Sequence, residues 1–129
     1  MNILQAIENS NQKLKAKGIK SYQLDSQILI SEALKKDKKY ILLNLDKKIP
    51  DESLNYFNFL VKQRMNNKPI AYILKKKEFW KNDFYVDQDV LIPRPDTEVV
   101  VEKVLELTKN KPKLNILEIG VGSGCIVIS

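Results

Sequence analysis

Three of the chain's four glycines fall within five residues, Gly120-Val121-Gly122-Ser123-Gly124. They follow the apolar run Leu114 to Ile119 and precede Cys125-Ile126-Val127-Ile128. A strand that turns at once into a helix needs positive φ and backbone without Cβ atoms in the way of a ligand. Strand, glycine loop and helix in that order open an α/β sheet, and a nearly continuous apolar strand suits a parallel sheet covered on both faces. One such strand cannot make a sheet, so the chain reads as the N-terminal portion of a longer protein.

The 113 residues before that strand follow a different period. Residues 2–17 are expected to be helical, with Ile3, Leu4, Ile7 and Leu14 near one face and Gly18 as the stop. Ser21 can cap a second helix with Leu24, Ile28, Leu29 and Leu34 inward. Asp37 can cap a short third around Tyr40 to Leu45. Pro50, Asp51 and Glu52 open a fourth, whose apolar set is Leu54, Phe57, Leu60, Val61 and Met65. Asn66-Asn67-Lys68-Pro69 breaks it, and one or two further turns run to Leu74. Residues 1–74 thus read as an all-α bundle. Glu78-Phe79-Trp80 and Phe84-Tyr85-Val86 flank turn chemistry at Lys81-Asn82-Asp83, which predicts a β-hairpin. Val90-Leu91-Ile92 runs extended into Pro93-Arg94-Pro95, a stiff elbow because each proline disfavours helix in the residue before it. Asp96 or Thr97 can cap the next helix, with Val99, Val100, Val104, Leu105 and Leu107 on its apolar side and Asn110-Lys111-Pro112-Lys113 ending it. The expected organisation is a helical domain at 1–74, a hairpin linker at 75–92 and a nascent α/β domain at 93–129.

Composition narrows the chemistry. The chain has no histidine and one cysteine, Cys125. Ser-His-Asp and Cys-His nucleophiles, histidine metal sites and cysteine-only zinc sites are therefore excluded within it. A lone cysteine and no N-terminal signal pattern point to the cytoplasm, and no apolar run reaches membrane-spanning length. The net charge is +6, but only Arg64 and Arg94 among the 22 basic residues are arginine. That composition favours solvated lysine faces over direct nucleic-acid recognition.

The glycine loop discriminates among ligands. A P-loop would require Lys-Ser/Thr after the last glycine, where Cys125 stands. A dinucleotide fingerprint would place its third glycine at 125 rather than 124. The pattern acidic-x-G-x-G-x-G, Glu118 through Gly124, instead resembles motif I of Rossmann-like S-adenosyl-L-methionine-dependent methyltransferases. Tyr72-Ile73-Leu74, Glu78-Phe79-Trp80, Leu91-Ile92-Pro93-Arg94-Pro95-Asp96-Thr97-Glu98 and Ile116 to Gly124 stand in the order and spacing of one family. They resemble the HemK/PrmC protein-(glutamine-N5) methyltransferases, which modify the glutamine of the Gly-Gly-Gln loop of class 1 peptide chain release factors. The resemblance covers essentially the whole chain.

The resemblance implies an α/β parent protein. Its order is a helical release-factor-binding domain, a hairpin linker and a Rossmann-like methyltransferase domain begun here as far as its first strand and glycine loop. It implies that Gly120, Val121, Gly122, Ser123 and Gly124 line the S-adenosyl-L-methionine site, with Glu118 beside it and Pro93, Arg94 and Thr97 packed against it. Phe79 and Trp80 read as hairpin residues packed between domains. No metal is implied, and a monomer is expected. The family's glycine after Tyr-Ile-Leu is Lys75 here, at a cost on the order of 1 kcal/mol if the backbone is left-handed. Its catalytic Asn-Pro-Pro-Tyr and its ribose-binding acidic residue do not occur in these 129 residues, so the chain alone is expected to be inactive and holds no catalytic residue. Two other readings remain: a stand-alone helical module that binds a protein without catalysis, and an oxidoreductase with an off-pattern fingerprint.

Overall fold

A computed structural model describes residues 1–111 and 113–129 of the chain. It divides into two compact units, Met1–Ile73 and Leu74–Ser129. The part of the 110–113 helix stop that falls on Pro112 lies outside the described residues.

The first unit holds four helices and most of a fifth: α1 (Ile3–Ala16), α2 (Tyr22–Leu34), α3 (Lys38–Leu43), α4 (Asp51–Met65) and α5 (Ile70–Leu74). Helix α1 starts one residue later than expected, because Asn2 is its cap. The Asn2 side chain accepts from the Gln5 N–H at 2.9 Å, and the Gln5 side chain accepts from the Asn2 N–H at 3.1 Å. The first two helical N–H groups are met from the α3–α4 connection: Ile3 donates to the Lys47 carbonyl and Leu4 to the Leu45 carbonyl. All four N–H groups that a helix start leaves open, those of Asn2, Ile3, Leu4 and Gln5, therefore have acceptors, and the regular ladder begins with Ala6 donating to the Asn2 carbonyl.

Ile3, Leu14, Leu29, Ile30, Ile41, Ile49, Phe57 and Leu60 form the buried centre. Leu4 and Leu24, expected inside, are 42% and 53% exposed. Helix α2 buries Asp25, Ser26, Leu29, Ile30 and Ala33 instead, a 3–4-spaced stripe that leaves Leu24 outside it. Three polar contacts justify burying Asp25 and Ser26. The Ser26 hydroxyl meets the Ser10 hydroxyl at 2.8 Å between α1 and α2. The Asp25 carboxylate accepts from Arg64 Nε at 2.7 Å and from the Ser21 hydroxyl at 2.9 Å. Ser21 is thus spent on Asp25, and its side chain does not cap the α2 backbone as expected. Asp37 does cap α3, accepting from the Tyr40 N–H at 2.8 Å.

The second unit opens at a strained residue. Lys75 has φ +54°, in the left-handed region. Strands β1 (Lys76–Phe79) and β2 (Asn82–Tyr85) then pair antiparallel, with Phe79 opposite Asn82. The turn is Trp80-Lys81 rather than 81–83, and both residues have positive φ, +47° and +67°. A two-residue turn of that hand matches the strand twist, which outweighs the lack of glycine. The elbow leads into a 3-10 turn, Pro95–Thr97, and then α6 (Glu98–Thr108). Thr97 occupies the cap position of α6 but makes no side-chain cap bond, because the helical winding already begins at Pro95.

Only Val101 of α6 is buried. The expected apolar side is exposed: Val99 by 64%, Val100 by 48%, Val104 by 38%, Leu105 by 49% and Leu107 by 63%. The unit's core is a small cluster of Phe79, Phe84, Val101 and Cys125, with Trp80 and Ile126 against it. The strand expected at 114–119 does not form. Leu117 and Ile119 are 86% and 89% exposed there, and the hairpin is the sole sheet among the described residues. A strand is defined by its ladder, and nothing described pairs with this segment. The observed fold is therefore helical with one two-stranded antiparallel sheet.

Candidate functional site

The glycine loop adopts the backbone its sequence demands. Gly120, Gly122 and Gly124 have φ of +76°, +57° and +78°. The Gly124 N–H donates to the Val121 carbonyl at 2.9 Å, closing a turn, and α7 (Cys125–Ile128) begins at once. Cys125 is buried in the unit's core, which anchors the C-terminal side of the loop. A Cβ on Gly120 would meet nothing within 4 Å, and one on Gly122 would meet only the Gly120 carbonyl oxygen at 4.0 Å. At Gly124 it would meet Ile128 Cδ1 at 3.0 Å, the end of an exposed side chain that can shift, so φ is the main demand for glycine there. The first two glycines leave open space over the loop.

Glu118 enters the loop half-buried. Its Oε2 is buried and has no hydrogen-bond partner among the described residues. A carboxylate oxygen shielded from water and left without a donor is costly, and its natural complement is a cation or a donor from outside the chain. Val121 is exposed and Ser123 half-buried. The loop thus offers a carboxylate, a stretch of accessible backbone and little side-chain bulk.

The elbow is organised differently. Pro93 is buried, Thr97 half-buried and Arg94 exposed, and among the described residues the Arg94 guanidinium has no hydrogen bond or ion pair. No hydrogen bond among the described residues joins Arg94 or Thr97 to residues 118–124. The elbow's structural role falls to Glu98, the first residue of α6. Its Oε1 accepts from the Trp80 N–H at 3.0 Å and so fastens the left-handed hairpin turn to the start of α6. Phe79 and Trp80 pack in the small core of the second unit. Among the described residues no group of three or more His, Cys, Asp and Glu could hold a metal. None of the described helices is long and apolar enough to cross a membrane.

The profile of the PrmC N-terminal domain matches residues 5–74, more than half of the chain. This chain belongs to the PrmC family. The release factor glutamine methyltransferase of Clostridium botulinum is 46% identical over 116 residues, covering 90% of this chain and 41% of that protein. The one from Buchnera aphidicola is 40% identical over 129 residues, covering 100% of this chain and 46% of its own length. A bifunctional methyltransferase of Rickettsia conorii is 36% identical over 152 residues, covering 99% and 29%. The chain therefore spans less than half the length of the PrmC relatives it matches. Those relatives are methyltransferases by name.

Proposed function

We propose that these 129 residues are the N-terminal portion of an S-adenosyl-L-methionine-dependent methyltransferase. Its substrate is the glutamine of the Gly-Gly-Gln loop in class 1 peptide chain release factors, and it works in translation termination in the cytoplasm. The helical unit docks the release factor. The glycine loop begins the cofactor pocket of a Rossmann-like domain that the rest of the protein completes.

The observation that carries this reading is the pairing of the open, left-handed glycine loop with the orphaned Glu118 oxygen. The residues fit the group. Gly120, Val121, Gly122, Ser123 and Gly124 give the backbone surface against which an uncharged nucleoside can lie. Glu118 gives the carboxylate that a methionine ammonium would satisfy. Arg94 and Thr97, at the start of the segment that leads into α6, are assigned to the rim of the same pocket. When bound, S-adenosyl-L-methionine supplies a methyl group activated by its sulfonium. This chain's residues then only bind and orient, because a glutamine amide nitrogen is a poor nucleophile that needs alignment from a motif these 129 residues do not contain.

The test compares the complete reading frame with residues 1–129. Transfer of labelled methyl from S-adenosyl-L-methionine to a class 1 release factor is expected from the complete protein and not from the 129 residues. Glu118→Gln in the complete protein should weaken cofactor binding by about tenfold, the loss of one charge-assisted contact. A complete protein that leaves the release factor unmethylated overturns the proposal.

A further inference from the structure

The chain's net charge is not spread along it. Residues 1–73 hold thirteen Lys and Arg against seven Asp and Glu, a net +6, while residues 74–129 hold nine against nine. Within the helical unit the densest part is 35–48, with six lysines against Asp37 and Asp46. Asp37 is committed to capping α3.

The structure turns this run into an organised surface. Lys36 Nζ and Lys47 Nζ lie 5.4 and 5.3 Å from the centroid of the Tyr40 ring, and Lys47 also donates to the Tyr40 hydroxyl at 2.7 Å. Lys35, next in sequence to Lys36, lies 6.0 Å from the Tyr56 ring, which stacks on Phe59 at 6.5 Å. Phe59 is 57% exposed, and Lys35, Lys36 and Lys47 are all exposed. Lys35 is paired with Glu32, whose hydrogen bond raises its pKa above the ordinary lysine value. Lys36 and Lys47 have no carboxylate partner among the described residues; Tyr40 holds both, Lys36 by its ring and Lys47 by its ring and hydroxyl. Exposed aromatics with a charged surround have the make-up of a protein interface.

We propose that this surface, Tyr40, Tyr56 and Phe59 with Lys35, Lys36 and Lys47, is where the helical unit meets its protein partner, and that the partner presents carboxylates around an apolar patch. The proposal rests on the release-factor reading above, which supplies the partner's identity. Complementarity favours such a partner over RNA. The basic groups are lysines without the planar fork that recognises phosphate, and Tyr40, already engaged by its own two lysines, is a poor platform for a base.

The experiment measures binding of the whole 129-residue chain to an immobilised class 1 release factor at about 50 mM and about 300 mM salt. Four forms are compared: wild type, Lys36→Glu/Lys47→Glu, Phe59→Ala, and Lys17→Glu/Lys20→Glu as an equal charge change outside the cluster. All substituted residues are exposed, and circular dichroism checks that each form is folded. Wild type is expected to bind, with Lys36→Glu/Lys47→Glu and Phe59→Ala each weaker by about tenfold or more and the control within about threefold. Salt should weaken wild type more than Lys36→Glu/Lys47→Glu. Equal losses in both double variants would mean that only net charge matters and would overturn the surface. Displacement of the factor by an RNA hairpin, with the same variants losing RNA binding, would reassign it to nucleic acid. Cluster variants that bind like wild type overturn the surface alone. A wild-type chain that does not bind the factor at all overturns the surface and the docking role of the helical unit together.

Discussion

Arg64 is the residue whose removal should cost the helical unit most for the fewest atoms lost. Its Nε donates to the Asp25 carboxylate at 2.7 Å, and Nη1 donates to the Lys68 carbonyl at 3.2 Å. The Asp25 side chain is 6% exposed and that of Arg64 17%. Arg64→Met keeps much of the stem and deletes the guanidinium, so a buried carboxylate keeps only the Ser21 hydroxyl as partner. Breaking a fully buried pair from one side costs about 3–5 kcal/mol, and the residual exposure with the surviving Ser21 contact reduces this to about 2–3 kcal/mol. A unit of 73 residues has roughly 4–11 kcal/mol in total, so the loss is a large share of it. The midpoint of thermal unfolding should fall by about 10–20 °C. The charge itself, not the pair, is what becomes unfavourable, so Asp25→Ala/Arg64→Met should recover to within about 1 kcal/mol of wild type. Urea unfolding at neutral pH, followed by ellipticity at the helix band, measures all three. Trp80, the chain's one tryptophan, reports the other unit separately. If Arg64→Met costs less than about 0.5 kcal/mol, or the double variant is no better than the single, the carboxylate is not desolvated and the reasoning fails.

Lys75→Gly removes a side chain from a left-handed backbone at φ +54° and should raise stability by about 0.5–1 kcal/mol; a lower urea midpoint by Trp80 fluorescence would contradict this. Glu98→Ala should cost about 1–2 kcal/mol and shift Trp80 emission to the red, whereas Glu98→Gln, which keeps an acceptor for the Trp80 N–H, should lose less than half as much. Equal losses would show that the charge at the helix start matters and the turn contact does not. Gly122→Val should cost about 1–2 kcal/mol from backbone strain alone, since its Cβ meets no protein atom nearer than 4.0 Å. In the complete protein the folded fraction should also lose S-adenosyl-L-methionine affinity by calorimetric titration, and unchanged affinity would mean that the loop is only a turn.

Local chemistry was legible in the sequence where a residue's role is fixed by its neighbours in the chain. The glycines at 120, 122 and 124 all take positive φ, Asp37 caps α3, and the period change near Leu74 coincides with the end of α5. Asn2-x-x-Gln5 is a capping signature that places the start of α1 more sharply than the apolar residues beside it. What periodicity could not supply is which of several apolar faces finds a partner. Helix α6 has valine or leucine at 99, 100, 101, 104, 105 and 107, so its pattern covers most of the circumference, and only the contact with Phe79, Phe84 and Cys125 selects Val101. Leu24 lost its place to Asp25 because Arg64, 39 residues away, makes the carboxylate cheaper to bury than the pattern allows. The strand at 114–119 failed for the same reason in another form: its apolar run describes a residue's preference, while a strand requires a second chain segment at hydrogen-bonding distance.

The two units divide the work by physical type. The helical unit closes its own core, with Phe57, Leu60, Leu14 and Leu29 each 1% exposed or less, and carries all of the chain's net charge. The surface proposed above needs no further folding to meet a partner, since Tyr40, Tyr56 and Phe59 stand on helices and Lys35, Lys36 and Lys47 lie in the short connections beside them. The second unit is electrically neutral and leaves Leu105, Leu107, Leu117 and Ile119 about half or more exposed, while its ordered core is a handful of side chains around Phe79. Apolar area of that extent seeks burial, and the loop geometry beside it is already set by glycine conformations that need no partner. On the reading proposed above, the loop is shaped before its pocket is complete, and Glu118, whose buried Oε2 has no donor among the described residues, is where a bound cation would be met.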